Sequence, residues 1–156
     1  MTTEYDKSIG TEIIDSFGSR PEMLVQVLQA FVARFSFLSK DAVRQVALEL
    51  NLSRAEVWGC IKFYHDFRTE APGRTVVKIC QAEACQAMGS RELTAYAEKT
   101  LGIPMHSSSD DGKHTLEPVY CLGNCACSPA VMIDETVYGR VDPGRLDALI
   151  ESADAK

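Results

Sequence analysis

Four of the six cysteines fall in two close pairs: four residues separate Cys80 from Cys85, three separate Cys121 from Cys125, and 35 lie between the pairs. Thiolates grouped in this way do metal or redox chemistry, and their spacing narrows which. Structural zinc takes C-x2-C to C-x4-C pairs on short knuckles. Thiol–disulfide exchange wants C-x-x-C, which occurs nowhere in the chain, since Cys125-Ala126-Cys127 is C-x-C. The plant-type ferredoxin run C-x4-C-x2-C is also absent, yet four cysteines without histidine suit a [2Fe–2S] cluster. Spacing ranks a cluster first, zinc second and thiol redox third, and leaves all three open. Small or loop-forming neighbours (Ala82, Ala84, Gly123, Asn124, Ala126) would let backbone N–H groups approach sulfur and stabilise an anionic cluster. Of the remaining two, Cys60 reads as buried packing. Cys127 reads as a packed small residue or as an extra sulfur beside the cluster.

The rest of the chain must bring the two pairs together. At 46% hydrophobic, 24% charged and 8% aromatic residues, the composition is that of a folded globular protein, and 156 residues make one generous domain or two small ones. No apolar run approaches the roughly 20 residues of a membrane span, and the acidic start, Met1 to Gly10, is no export signal, so a cytoplasmic, reducing compartment is expected. Residues 1–74 hold 9 Lys and Arg against 10 Asp and Glu, and residues 75–156 hold 7 against 12, which makes nucleic acid an unpromising partner for the second half.

Helical periodicity runs through Ile9, Ile13, Ile14 and Phe17, and again through Leu24, Val27, Leu28, Phe31 and Phe35. Ser39 is placed to cap a third helix, and Ser53 with Glu56 forms a capping box for a fourth that is expected to reach Phe67. Apolar residues go nearly all the way round that fourth helix, as in a central core helix or one that also meets a partner. Trp58, Phe63, Tyr64 and Phe67 are the candidates for such a contact, with at least one facing outward. Glu-Ala-Pro-Gly-Arg at 70–74 ends the helical pattern, giving expected domains at 1–72 and 73–156. The second reads strand 75–79, cysteine loop, helix 90–101 capped by Ser90, strand 115–120, second cysteine loop, strand 130–133, a hairpin, and a last helix capped by Asp142. That order predicts an α+β chain: a helical bundle of four helices, then a thioredoxin-like α/β domain with a mixed four-stranded sheet and helices on both faces. Each cysteine pair would follow a strand, at the carboxyl edge of the sheet.

Cys80-x4-Cys85, Thr115-Leu116-Glu117, Cys121-Leu122-Gly123-Asn124-Cys125 and Ser128-Pro129-Ala130 together resemble the thioredoxin-like [2Fe–2S] subunit of NADH dehydrogenases, the 24-kDa subunit of respiratory complex I. Upstream, Leu50 to Val57 running into Lys62-Phe63-Tyr64-His65-Asp66-Phe67 looks like that family's helical domain, so the likeness spans roughly residues 10–150. Within the family, Ala82-Glu83-Ala84-Cys85-Gln86, Leu116 to Cys121 and Cys125-Ala126-Cys127 are similar to the gamma subunit of molybdenum-dependent, NAD-linked formate dehydrogenases. One departure stands out: Ser36-Phe37-Leu38-Ser39 replaces the family's usual Gly-Tyr-Leu-Pro, which bears on the local turn.

The resemblance implies that Cys80, Cys85, Cys121 and Cys125 ligate one [2Fe–2S] cluster, while Cys60 and Cys127 match no ligand position. It implies an electron-transfer subunit, inactive alone, beside a flavin- and NAD-binding iron–sulfur subunit and, through it, a molybdenum-containing formate-oxidising subunit. The equivalent subunit of an NADH:quinone oxidoreductase, or of the diaphorase unit of an NAD-linked hydrogenase, is the alternative. The absence of a Gly-x-Gly-x-x-Gly, a P-loop or a nucleophile–base pair agrees with NAD, flavin and formate binding elsewhere. A redox-sensing DNA-binding regulator would need residues 43–61 as a helix-turn-helix, but Lys40 to Arg68 carries 5 basic against 4 acidic residues, a poor match to phosphate. His65, His106 and His114 read as bystanders.

Overall fold

The computed structural model describes residues 5–155, which divide into two compact units with the boundary between Ala71 and Pro72. The first unit packs four helices, α1 (Lys7–Ser16), α2 (Leu24–Phe35), α3 (Lys40–Glu49) and α4 (Arg54–Phe63), with a 3-10 turn at Pro21–Met23 before α2. Their caps are written in the sequence: the Asp6, Ser39 and Ser53 side chains accept backbone N–H groups at the starts of α1, α3 and α4, and Glu56 returns the bond to the Ser53 N–H. The core is Ile14, Leu28, Phe31, Phe35, Leu38, Val46, Leu50, Val57 and Ile61, one stripe from each helix. A buried amide is set into it: Gln45 Nε2 donates to the Lys7 carbonyl and to Glu49 Oε1, which ties α3 to α1. At the turn where glycine is usual, Ser36 takes a left-handed conformation (φ 70°) and caps α2 through its own N–H to Val32 O.

Helix α4 stops four residues short of the expected Phe67. Tyr64 is extended, and the chain turns so that Phe67 N–H bonds Tyr64 O and Leu38 N–H bonds Arg68 O. This turn sends Phe67 into the core, while Phe63 is 74% exposed and Tyr64 and Trp58 are also on the surface. Of the four aromatics expected to share a role, Phe67 therefore separates as packing. Cys60 is only half-buried, against the edge of the core rather than within it.

The second unit is built on a sheet of order β2-β3-β1-β4-β5: β1 (Thr75–Cys80), β2 (Ser107–Ser108), β3 (His114–Val119), β4 (Val131–Ile133) and β5 (Thr136–Tyr138). β1 and β3 are parallel, β4 and β5 antiparallel to their neighbours. The sheet has five strands, not four. β2 is two residues of serine, without β-branched alternation, and is held by Ser108 Oγ against Thr115 Oγ1 (2.7 Å) across the Asp110–Gly112 turn. Nor do the long helices take both faces. Val77, Ile79, Leu116, Val131 and Ile133 share one core with Leu93 and Ala97 of α6 (Ser90–Leu101) and Leu146 and Ile150 of α7 (Pro143–Asp154), so α6 and α7 lie together on one face. The intervening residues Val76, Lys78, Glu117 and Met132 are half-buried on the other. The first cysteine loop holds a short helix, α5 (Glu83–Ala87). At the sheet end remote from the cysteines, α7 is clasped by Asp154, whose carboxylate meets His114 Nε2 at 3.0 Å and Thr75 Oγ1 at 3.2 Å. Burial pushes the Asp154 carboxyl up, but His114, Thr75 and Arg74 more than offset it and leave it below the usual range. Among the described residues no helix is long and apolar enough to cross a membrane.

Phe67→Ala should cost about 3–5 kcal/mol of folding stability, the range for emptying a buried aromatic site. Phe63→Ala should stay within about 0.5 kcal/mol of wild type. Denaturant melts of the two variants check the assignment of one to the core and the other to the surface.

Candidate metal centre

Chain order and sheet order place the two cysteine loops side by side. Cys80 is the last residue of β1 and stands in register with Val119 at the end of parallel β3, so the loops after these strands leave the sheet at the same edge. Further backbone bonds extend the sheet beneath the loops: Cys80 N–H to Ala130 O (3.0 Å) and Gln81 N–H to Val119 O (2.7 Å). The first loop is braced from below by Ser90. Its hydroxyl is not the helix cap that the sequence suggested; Gly89 holds that position at φ 95°, and fully buried Ser90 Oγ donates to the Cys80 carbonyl. A buried hydroxyl must find a partner, and this one pins the start of α6 under the first cysteine.

The four cysteines meet as two unlike pairs. Cys80 and Cys85 are buried and each acts on the other's titration, whereas Cys121 and Cys125 are exposed with their sulfurs 3.7 Å apart. Backbone N–H groups converge on sulfur from both loops. The Ala82 and Leu122 N–H groups stabilise the Cys80 thiolate, the Ala130 N–H stabilises that of Cys85, and Gly123 N–H donates to Cys121 Sγ at 3.4 Å. Of the small residues expected to do this, Ala82 and Gly123 do, joined by Leu122 and Ala130. Cys121 is held at φ 103°, a conformation that favours glycine and that costs a side chain on the order of 1–3 kcal/mol, as strained residues at functional sites do.

Burial pushes the Cys80 thiol up, and the N–H bonds only partly counter it. Burial also pushes Cys85 up, but the Ser128 hydroxyl, the Ala130 N–H and Cys80 outweigh it, so Cys85 ends below the ordinary thiol range. Cys125 is raised by its hydrogen bond to Cys121 and by that sulfur's charge, with smaller contributions from Cys85 and Cys80, so all four sulfurs share one electrostatic neighbourhood. Among the described residues no group of three or more His, Cys, Asp or Glu side chains is disposed around a single metal ion. The donors form two pairs on neighbouring loops, and the histidines stand apart, His114 on Asp154 and His65 and His106 exposed.

The model of the thioredoxin-like [2Fe-2S] ferredoxin family matches residues 10–154. The chain belongs to that family. It is 32% identical to a subunit of the NADH-quinone oxidoreductase of Rhizobium meliloti (strain 1021) over 136 residues, 87% of this chain and 81% of that one. It is 28% identical to the HndA subunit of the NADP-reducing hydrogenase of Solidesulfovibrio fructosivorans over 139 residues, 89% and 81% of the two chains. Among solved structures, an NAD+-reducing [NiFe]-hydrogenase in the air-oxidized state contains a chain that matches with a TM-score of 0.71 at 25% identity over 85% of this chain, which spans 23% of that longer one. The cofactor of this family member is a [2Fe–2S] cluster, and the donor set here suits it: four sulfurs in two pairs, with N–H groups directed at three of them.

Three further residues shape the site without having been marked by the spacing. Ser128 joins the two loops through its hydroxyl, which donates to the Cys125 carbonyl and lies beside Cys85. Arg140 N–H bonds the Cys127 carbonyl (2.6 Å), so the residue after the hairpin anchors the second loop. Gly139 lies so close beneath that loop that a Cβ there would meet Asn124 Nδ2 at 2.6 Å, Cys127 Cβ at 2.7 Å and the Cys127 carbonyl at 2.8 Å. A glycine just after a strand is the one sequence sign of such a close approach. Cys127 is half-buried against this glycine, as a packed small residue would be.

Gly139→Ala should therefore displace the second loop, lowering stability by roughly 1–3 kcal/mol and speeding loss of iron to a chelator. Gly144→Ala is the matched control, because its Cβ would come no closer than 3.7 Å to Asp142 Oδ1, and it should change neither. A melt and a chelation time course distinguish the two.

Proposed function

We propose that the chain is the electron-carrying subunit of an NAD-linked oxidoreductase, with Cys80, Cys85, Cys121 and Cys125 as ligands of its [2Fe–2S] cluster. The observation that carries this reading is the meeting of the two cysteine pairs at one sheet edge, stitched by N–H groups from opposite loops. The bound cluster supplies a site that takes up and releases one electron at a time. The protein's part is to hold the ligands, donate hydrogen bonds to their sulfurs, exclude water from Cys80 and Cys85, and leave Cys121 and Cys125 at the surface. The relatives' names, subunits of NADH-quinone oxidoreductase and of an NADP-reducing hydrogenase, support membership of a nicotinamide-linked assembly. A flavin- and NAD-binding subunit is the partner this role requires.

For the parent enzyme we take an NAD-dependent molybdenum formate dehydrogenase, in the cytoplasm, with this chain as the gamma subunit. Ala82 to Gln86, Leu116 to Cys121 and the Cys125-Ala126-Cys127 run support that branch. The second reading, the corresponding subunit of an NADH:quinone oxidoreductase or hydrogenase, is favoured by the names of the relatives. Purification from the native host with identification of the co-eluting chains separates them: a molybdenum subunit supports the first reading, a nickel–iron or quinone-reducing set the second.

The anaerobically purified chain should hold two irons and two acid-labile sulfides per molecule, consistent with one [2Fe–2S] cluster. Serine at Cys80, Cys85, Cys121 or Cys125 should remove most of both, whereas Cys60→Ser and Cys127→Ser retain them. Stoichiometric zinc without iron would contradict the assignment. The chain alone should not reduce NAD with formate. The exposed aromatics of α4 are assigned to contact with the flavin subunit: Phe63→Ala should weaken co-purification of that subunit at unchanged iron content, and undiminished co-purification would remove the residue from the interface.

A further inference from the structure

Ser128 stands between the two cysteine loops. It is 8% exposed, its Oγ donates to the Cys125 carbonyl at 2.8 Å, and the same oxygen is 3.4 Å from Cys85 Sγ. A serine hydroxyl has one hydrogen to give and two lone pairs to receive. While Cys85 is a thiol, the three groups form a satisfied relay, S–H to Oγ and O–H to the carbonyl. A metal-bound thiolate has no hydrogen left. The unchanged relay would then set an oxygen lone pair against an anionic sulfur in a buried place, where an unpaired polar contact is costly. Turning the O–H about the Cβ–Oγ bond relieves this without moving a heavy atom, and a hydrogen bond to an ionised acceptor is roughly twice as strong as a neutral one. The carbonyl that gives up its donor belongs to Cys125, an exposed residue.

We propose that Ser128 is a positioning residue of the cluster: its hydroxyl turns from the Cys125 carbonyl to Cys85 Sγ when that sulfur binds iron, and there it raises the cluster's reduction potential. The proposal rests on Cys85 being a ligand. Hydrogen bonds to ligand sulfur stabilise the added negative charge of the reduced state. The Ala82, Leu122, Ala130 and Gly123 donors are backbone groups, present whatever the side chain, whereas the Ser128 donor depends on residue type. Position 128 can therefore set the potential while the fold stays the same.

The test uses the full-length chain with its cluster, comparing wild type with Ser128→Ala and with the isosteric pair Ser128→Thr and Ser128→Val. Iron content, the midpoint potential from a redox titration, and the shift of the iron–sulfur stretching bands between H2O and D2O are read on each. Ser128→Ala should keep its iron, move the midpoint to more negative potential and lose part of the deuterium shift, while Ser128→Thr keeps the wild-type values. Should Ser128→Ala fail to hold iron, Thr and Val, alike in shape and different in the hydroxyl, carry the comparison, with Val expected at the more negative potential. Variants that retain iron with an unmoved midpoint and full deuterium shift overturn the role of Ser128 and leave the ligand assignment standing. A Cys85→Ser variant with its full complement of iron overturns both.

Discussion

The parallel pairing of β1 with β3 is the constraint on which the site depends. Parallel neighbours release their chains at the same edge, so the residue after one strand lies beside the residue after the other. Cys80 and the loop that begins beyond Val119 are brought together by that register alone. A slip of β1 by one residue would turn Val77 and Ile79 away from α6 and α7 and would carry Cys80 to the opposite face of the pleat. Packing of the helices and placement of the sulfurs are thus one requirement, met by a single register.

Much of this was legible because it is written in local chemistry. The caps at Ser39, Ser53 and Asp142 are side chains answering N–H groups a few residues on, and the two cysteine pairs follow runs of β-branched or alternating apolar residues. What escaped was decided at a distance. Ser90 looks like a cap because serine before a helix usually is one, but the burial of α6 against β1 gives its hydroxyl to the Cys80 carbonyl instead. β2 was invisible because two serines carry no pattern, and Gly139 because its value lies in a loop a dozen residues upstream in the sequence. The full apolar girth of α4 read as one property and proved to be two, a core stripe of Val57 and Ile61 and a surface of Trp58, Phe63 and Tyr64.

The polar groups around the sulfurs show a division of labour. The inner pair is desolvated, and each of its sulfurs is stabilised by a backbone N–H from the loop or strand that is not its own: Leu122 for Cys80 and Ala130 for Cys85. The outer pair has solvent and one N–H from its own loop. Cys121 holds its strained backbone where that loop leaves β3, so the second loop carries both the strain and the exposure.

Under this ligand assignment, the contrast between a sealed pair and an open one gives the centre a single doorway. Iron and sulfide delivered during assembly, a chelator removing them, and oxygen attacking them must all arrive past Cys121 and Cys125, because Cys80 and Cys85 are closed off by Ala82, Val119, Leu122 and Ala130. An electron taking the shortest way in or out crosses the same threshold. A protein partner seated there to exchange electrons would also act as a stopper, protecting the finished centre from the traffic that built it.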